Sequence, residues 1–265
     1  SPDRTGPRRQ GPAKRGRHLL KTSISTGAIR NSHALVVDEI GRSIISGAYP
    51  TGSLVPGDAE LAERFNVSRT VLREAMKTLA AKGLVVAKAR IGTRVTERKT
   101  WNFFDSDVLR WHLDSGFDAE FMRHLSDMRL SFEPSAARLA TLNATPDDIA
   151  RMKECVQGMY DARTMEDFAY ADLSLHMAMI DAARNPFMYS VASLIEAALV
   201  TSFKLSSPVG DPKGQQLTSR RHQTIVEAIE AGDGEAAARA TEVVIIEGRD
   251  RLFESDHREE DHPVS

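Results

Sequence analysis

Between residues 58 and 83 the sequence predicts two short helices joined by a tight turn. Asn66 breaks the first helix, Ser68 can cap the second, and Gly83 is a stop signal at its end. The predicted elements, in order, are helices over 34–45, 59–65 and 69–82 and strands over 84–87 and 93–96. Helix, helix, turn, helix and hairpin is the order of a winged helix-turn-helix, a domain that binds DNA.

The second of these helices has side chains suited to DNA on one face. Arg69 and Arg73 lie one helical turn apart, so both can enter one major groove, where arginine forms bidentate bonds with guanine. Ser68 and Thr70 in the first turn suit phosphates or base edges. The hairpin places three basic residues at a tip that could touch the minor groove or phosphates: Lys88, Arg90 and Arg94. Two arginines alone could be merely solubilising, but the order of elements favours DNA.

The net charge of −2 hides an uneven distribution along the chain. Residues 1–98 contain 18 Lys and Arg against 8 Asp and Glu, a net of +10, whereas residues 99–265 have a net of −12. A basic N-terminal part followed by an acidic C-terminal part favours a polyanion partner for the N-terminal part. A solvated tail is the competing interpretation, because eight of the basic residues fall within residues 1–30.

The composition also predicts the compartment and the character of the chain ends. The single cysteine, Cys155, excludes an internal disulfide and a cysteine-based metal site, so we expect a protein of the reducing cytoplasm. No apolar run approaches the roughly 18 residues of a membrane span, and the basic start lacks the apolar core of a signal peptide. Residues 1–30 are predicted to be a disordered basic arm and residues 256–265 a disordered tail.

From residue 107 onward the pattern is entirely helical. The predicted helices cover 108–113, 120–142, 146–162, 165–183, 186–205, 217–231 and 235–254. The predicted fold class is therefore mainly α, with a bundle of six or seven helices and no sheet in the C-terminal part. The predicted domains are a winged helix-turn-helix over 31–98, a linker over 99–116 and the helical bundle over 117–255.

Asp172 and His176 are four residues apart on one predicted helix and project from the same face. A carboxylate and an imidazole at that spacing suit joint coordination of one divalent metal, and His222 at the start of another helix could be a third ligand. From spacing alone, an exposed helical pair without a metal is the more common case.

Residues 54–86 resemble the winged helix of GntR-family transcription regulators. The resemblance is carried by Ser68-Arg-Thr-Val-Leu-Arg-Glu74 and by the wing strand Gly92-Thr-Arg-Val95. It implies the following DNA contacts: Arg69 and Arg73 as the principal ones, with Ser68, Thr70 and the wing residue Thr93 in support. Many relatives carry Arg where this chain has Ala59, so one contact of the family is not carried over.

Segments of the helical region resemble the FCD ligand domain of FadR-type GntR regulators: Arg129-x-x-x-Glu133, Asp172-x-x-x-His176, Asn185-Pro186 and His222 with Gly232-Asp233. Metal-binding members use one Asp and three His, and Asp172, His176 and His222 match the first three. The fourth position falls at or near Val244. The resemblance therefore implies either a divalent metal such as zinc or nickel, with positions open for an effector carboxylate, or an empty polar pocket.

Arg129 and the connecting segment bear on the effector. Arg129 lies four residues before Glu133, which alone suggests a structural salt bridge, whereas the resemblance makes Arg129 an anchor for an anionic effector beside Asp172, His176 and His222. The aromatic segment 101–111 is typical of packing. It also resembles the linker of galactonate-responsive regulators in this branch, which likewise lack the fourth histidine, and this favours a sugar acid as the effector.

We therefore expect a homodimeric transcription regulator, a repressor rather than an enzyme, that binds a pseudo-palindromic operator on double-stranded DNA under the control of a small carboxylate. One alternative is a metal-dependent enzyme acting on a sugar acid through Asp172, His176 and His222, although no general base or nucleophile is recognisable beside them. A second alternative is a metabolite-binding protein that no longer binds DNA.

Overall fold

The computed structural model describes residues 32–116, 118–205 and 208–260. These residues form two compact units, divided in sequence between Asp118 and Ala119, and each unit has its own apolar core. The predicted disordered arm, residues 1–30, and the end of the predicted tail, residues 261–265, lie outside the described residues.

The N-terminal unit has the predicted winged helix-turn-helix fold. Its elements, in order, are α1 (Ser32–Ile45), α2 (Asp58–Phe65), α3 (Arg69–Ala81), β1 (Val85–Lys88), β2 (Gly92–Val95) and α4 (Ser106–Asp114). The strands pair in antiparallel fashion from Val85 opposite Val95 to Lys88 opposite Gly92, and this hairpin is the wing. Helix α1 packs on α3 and α4, and α2 packs on α3. The predicted fold class and order of elements are confirmed.

Local sequence signals set the turns on either side of α3. Asn66 adopts the left-handed conformation (φ 52°) that ends α2, and the Ser68 side chain accepts a hydrogen bond of 3.2 Å from the backbone N–H of Val71. Gly83, at the end of α3, has a φ of 80°, and a Cβ there would lie 2.0 Å from the carbonyl oxygen of Thr100. Only glycine fits where α3 turns into the wing.

The segment predicted as a linker, residues 99–116, lies within the N-terminal unit. Trp111 on α4 is fully buried in the core of this unit, against α1. Asp38 on α1 accepts hydrogen bonds from the Trp111 indole (2.7 Å), from Arg42 (2.7 Å) and from Arg110 (2.9 Å). Because the bonds from Trp111 and Arg110 join residues more than 70 positions apart, spacing along the chain does not reveal them. The compact unit therefore extends to residue 118 rather than ending at 98.

The C-terminal unit is the predicted all-α bundle. Its helices in the described residues are α5 (Ala119–Asn143), α6 (Pro146–Asp161), α7 (Met165–Ala182), α8 (Ala192–Leu205), α9 (Pro212–Glu230) and α10 (Gly234–Glu260). A 3-10 helix, Pro186–Val191, forms the start of the predicted helix 186–205.

Two helices of this unit are longer than predicted. Helix α9 begins at Pro212 rather than at 217, because the Asp211 side chain caps it by accepting a hydrogen bond of 3.1 Å from the backbone N–H of Lys213. Helix α10 continues to Glu260, into the predicted tail, because no Gly or Pro interrupts the sequence between Gly248 and Pro263.

Helix α5 packs against α7 and α10, α6 packs against α7 and α9, and α9 packs against α10. The helices enclose one apolar core that includes Met152, Phe168, Met179 and Ile225. Within the described ranges, no helix combines the length and the apolar character that a membrane span needs. The notable feature of the bundle is a group of charged side chains inside this core, described below.

The contact between α1 and α4 leads to a prediction about stability. Gly41 on α1 lies against the Trp111 ring, and a Cβ at this position would come within 2.4 Å of two ring carbons. We expect Gly41→Ala to lower the free energy of unfolding of the N-terminal unit by about 1–3 kcal/mol through overpacking. Urea unfolding followed by Trp fluorescence measures this. Gly57→Ser is the control, because a Cβ added at Gly57 would meet no atom within 4 Å and serine is at least as good as glycine at the N-cap of α2, so this variant should not lower stability.

Candidate functional site

The exposed face of α3 carries the predicted DNA-binding residues. Arg69 and Arg73 are exposed one turn apart, and in the described part of the chain neither guanidinium forms an ion pair. Ser68 and Thr70 are exposed at the start of the helix. The Ser68 oxygen accepts the capping bond, so its hydroxyl proton remains available for a phosphate. The opposite face of α3 is buried in the core of the unit.

The wing presents the remaining predicted contacts. Lys88, Arg90 and Arg94 are exposed, and Thr93 is half-buried on β2. Arg90 lies at the tip in a left-handed conformation (φ 63°), in a turn closed by a 3.1 Å hydrogen bond from the Ile91 N–H to the Lys88 carbonyl. An exposed basic helix face followed by a basic hairpin tip is the arrangement with which winged helices contact a groove and the adjoining backbone.

A second candidate site lies inside the C-terminal unit. Five polar side chains from three helices are almost completely buried there: Arg129 and Glu133 on α5, Asp172 and His176 on α7, and His222 on α9. The structure thus brings together the four residues predicted to bind an effector, and it adds Glu133 to them.

These five side chains form one continuous series of contacts. The Nε of Arg129 donates a hydrogen bond of 2.5 Å to Glu133 Oε1, and Glu133 Oε2 lies 2.5 Å from Nδ1 of His176. On the other side of the ring, Nε2 of His176 lies 3.1 Å from Asp172 Oδ1. The same Asp172 oxygen lies 3.0 Å from Nε2 of His222.

The atoms that meet at Asp172 are placed so that they could hold a metal. Asp172 Oδ1, His222 Nε2 and both ring nitrogens of His176 are buried, and none of them has a well-aligned hydrogen bond in the described part of the chain, although Asp172 and Glu133 lie within ion-pair distance of the rings. His222 Nδ1 lies 2.8 Å from the backbone carbonyl of Thr218, and since a carbonyl only accepts, Nδ1 carries the proton. In neutral His222 the lone pair is therefore on Nε2, facing Asp172.

The spacing of these atoms fits a divalent cation. Two ligands about 2.1 Å from one ion lie about 3.0 Å apart when they are at right angles, as in an octahedral site, and about 3.4 Å apart in a tetrahedral site. The two nitrogen–oxygen distances are 3.0 and 3.1 Å, and one ligand atom from each residue can be chosen so that all three lie within 4.8 Å of one another. The donor set of one carboxylate and two imidazoles is one that zinc and nickel accept.

The electrostatics of the cluster are those of a site that needs positive charge. Burial raises the pKa of Asp172, but His222 and His176 together hold it well below its usual range. Burial likewise raises the pKa of Glu133, yet Arg129 and His176 bring it to about 2. Burial lowers the pKa of His176, and the neighbouring Glu133 and Asp172 outweigh this and raise it to about 9. Without an ion, both ring nitrogens of His176 are therefore protonated at neutral pH, and the ring is positively charged.

Two further residues bear on what the site can hold. Val244, at or near the predicted fourth ligand position, is buried in the same apolar core and offers no ligand atom. Arg129 uses Nε and one terminal nitrogen on Glu133, the latter at 3.3 Å, so one terminal amino group remains without a hydrogen bond in the described part. Glu133 is the residue that sequence reasoning missed as a site residue, although a carboxylate four residues after Arg129 on an apolar stripe signals a buried pair.

Two family models match the chain. Residues 32–95 match "Bacterial regulatory proteins, gntR family", and residues 124–246 match "FCD domain". The HTH-type transcriptional regulator YieP of Escherichia coli K12, described as uncharacterized, is 34% identical over 221 residues, which are 82% of this chain and 94% of YieP. The galactonate operon transcriptional repressor of the same strain is 32% identical over 220 residues, 83% of this chain and 96% of the repressor.

A solved structure has a similar fold. It is that of Lar, described as controlling the expression of the Listeria monocytogenes agr system, and it matches 86% of this chain and 99% of its own with a TM-score of 0.60. The sequence identity is 18%, so this likeness concerns the fold alone.

The raised pKa of His176 predicts a pH dependence of the metal-free protein. The folded pKa, about 9, lies above the unfolded value of 6.5, so the contribution of this group is fully present below pH 6.5 and is lost as the pH rises through 9. In EDTA we expect the free energy of unfolding of the C-terminal unit to fall by about 3 kcal/mol between these pH values. Denaturant titrations at each pH test this. The same fall in a His176→Asn variant would contradict the assignment.

Proposed function

Because the chain belongs to the GntR family of bacterial regulatory proteins and carries an FCD domain, we propose that it is a transcription repressor released from its operator by a small carboxylate. The chain is a transcriptional regulator with a DNA-binding helix-turn-helix and an FCD effector domain. The observation that supports control by a ligand is the buried cluster of Asp172, His176 and His222, whose potential ligand atoms converge inside an otherwise apolar core.

DNA recognition is proposed to depend on α3 and the wing. The exposed guanidinium groups of Arg69 and Arg73 suit guanine edges, and Ser68 and Thr70 suit phosphates. Arg90, Arg94 and Thr93 on the wing would contact the backbone or the minor groove beside them. We propose that the protein works as a homodimer, so that two such units bind a pseudo-palindromic operator.

The C-terminal site is proposed to hold one divalent metal such as zinc or nickel. Asp172, His176 and His222 would be its protein ligands, and because the fourth family position falls at or near Val244, the metal would keep positions open. A bound metal supplies a Lewis-acid point to which a carboxylate can attach. The terminal amino group of Arg129 that is not bonded to Glu133 would then hold the far side of that carboxylate.

The proposed effector is a sugar acid. The support is the 32% identity to the galactonate operon transcriptional repressor, together with the missing fourth ligand, which leaves a coordination position of the proposed metal open. An effector can release DNA only by favouring a different arrangement of the two DNA-binding units, so its binding energy must differ between the two arrangements. We expect this regulation to occur in the cytoplasm, where operators are found.

The enzyme alternative has little support. The matching families and relatives are transcription regulators rather than enzymes. The remaining carboxylate of the cluster, Glu133, is bound by Arg129 and lies against His176, so it is not free to act as a general base.

The proposal predicts the effect of removing either α3 arginine. We expect Arg69→Ala and Arg73→Ala each to weaken operator binding by about 1–3 kcal/mol and to relax base preference at one position of each half-site. Mobility-shift titrations at fixed salt, against the operator and against point-substituted operators, measure both effects. Arg220→Ala is the control, because it removes an exposed arginine from the other unit and should leave DNA affinity unchanged. Unaltered affinity in both α3 variants would contradict the proposal.

A second prediction concerns the metal and the effector. After EDTA treatment, zinc or nickel should raise the melting temperature, and galactonate should raise it further only in the metal-loaded protein. At 100 times its Kd, galactonate should add about 2.7 kcal/mol to the free energy of unfolding. His222→Gln should abolish both responses, whereas His124→Gln, at an exposed histidine on α5, should retain them. Stabilisation by galactonate that is equal with and without metal would rule out the metal as its anchor.

A further inference from the structure

The two histidines of the buried cluster are oriented in different ways. His222 places its Nδ1 2.8 Å from the Thr218 carbonyl one turn earlier on its own helix, so backbone geometry alone directs its Nε2 toward Asp172. His176 places its Nδ1 2.5 Å from Glu133, which is on another helix. The orientation of His176 therefore depends on a side chain, and that of His222 does not.

Glu133 is itself held in place by Arg129. Its side chain is fully buried, and the Arg129 guanidinium directs Nε to one carboxylate oxygen (2.5 Å) and a terminal nitrogen to the other (3.3 Å). The oxygen that faces Nδ1 of His176 is the one with the longer bond from Arg129. Because the Glu133 carboxylate is fixed in this way, its second oxygen is a strong hydrogen-bond acceptor facing Nδ1 of His176.

We propose that Glu133 is a positioning residue for metal binding, which accepts the Nδ1 proton of His176 so that the Nε2 lone pair faces Asp172 and His222. The inference rests on the proposed metal site. A ring nitrogen can bind a metal only when it carries no proton, and a carboxylate partner on the opposite nitrogen both fixes the tautomer and makes the ligand more basic. Glu133 would not touch the ion.

The isosteric variant Glu133→Gln tests the proposed role of Glu133, because Arg129 determines which way the new amide group faces. Arg129 has only donors to offer, so it will hold the amide oxygen of the substituted side chain and turn the amide NH2 toward His176. That group can only donate, so Nδ1 must become the acceptor and the ring proton moves to Nε2. The lone pair then points away from the metal position while the shape of the core is unchanged.

Metal affinity is the first measurement. Zinc titrations against a competing chelator would use wild type, Glu133→Gln and the control Thr218→Val, which keeps the backbone carbonyl that orients His222. We expect Glu133→Gln to bind zinc about 10–100-fold more weakly. Thr218→Val should stay within about twofold, because it leaves both acceptors in place. Glu133→Gln with wild-type zinc affinity would overturn the inference, whereas wild type that binds no zinc would instead refute the proposed metal site.

The imidazole tautomer is a readout that loss of packing would not move. In the metal-free proteins, nitrogen-15 spectra of the histidine rings should show a protonated Nδ1 for His176 in wild type, and an unprotonated Nδ1 with a protonated Nε2 in Glu133→Gln. The signal is assigned by its absence from His176→Asn. If Glu133→Gln does not fold, Glu133→Asp replaces it, and its zinc-loaded form should keep the Nδ1 proton because a carboxylate is retained. A protonated Nδ1 in Glu133→Gln, or a protonated Nε2 in Glu133→Asp, contradicts the inference.

Discussion

Charge balance inside an apolar core is the constraint on which the C-terminal unit depends. Glu133 and Asp172 are both buried and both ionised, while Arg129 supplies only one fixed positive charge. Without an ion, the second positive charge is the proton on His176, and a cation bound at Asp172 would take its place. Removing one partner from a buried ion pair lowers stability by about 3–5 kcal/mol, so the stability of the bundle depends on what occupies the site.

Under the proposed function, this constraint would let the site respond to its ligand. The proposed metal would take the place of the proton on His176, and its open positions, together with Arg129, would offer an anion two points of attachment. The five residues come from α5, α7 and α9, so a change in the charge or contacts of the site acts on three helices of the bundle. The N-terminal unit is different, because Arg69 and Arg73, the proposed DNA contacts, are exposed and form no ion pair in the described part of the chain.

Much of the N-terminal unit was predictable because its signals are local. Asn66, Ser68 and Gly83 each act within a few residues, and they place α3 and the wing correctly. The extent of the unit was not predictable, since Trp111 joins it through contacts with Gly41 and Asp38 that lie far away in sequence. Helix α9 differs from its predicted start for a smaller reason, namely the cap supplied by Asp211.

The sequence by itself determined the order of helices and strands, the basic exposed face of α3, and the spacing that puts Asp172 and His176 on one side of a helix. These features depend on helical periodicity and on capping within a single element. Only the tertiary structure decided that Asp172 and His176 are buried rather than exposed. It also decided that His222 lies against the same Asp172 oxygen as His176, and that Glu133 contacts the other ring nitrogen of His176. The reason is that burial and convergence arise from packing between helices, which residue spacing within one helix does not specify.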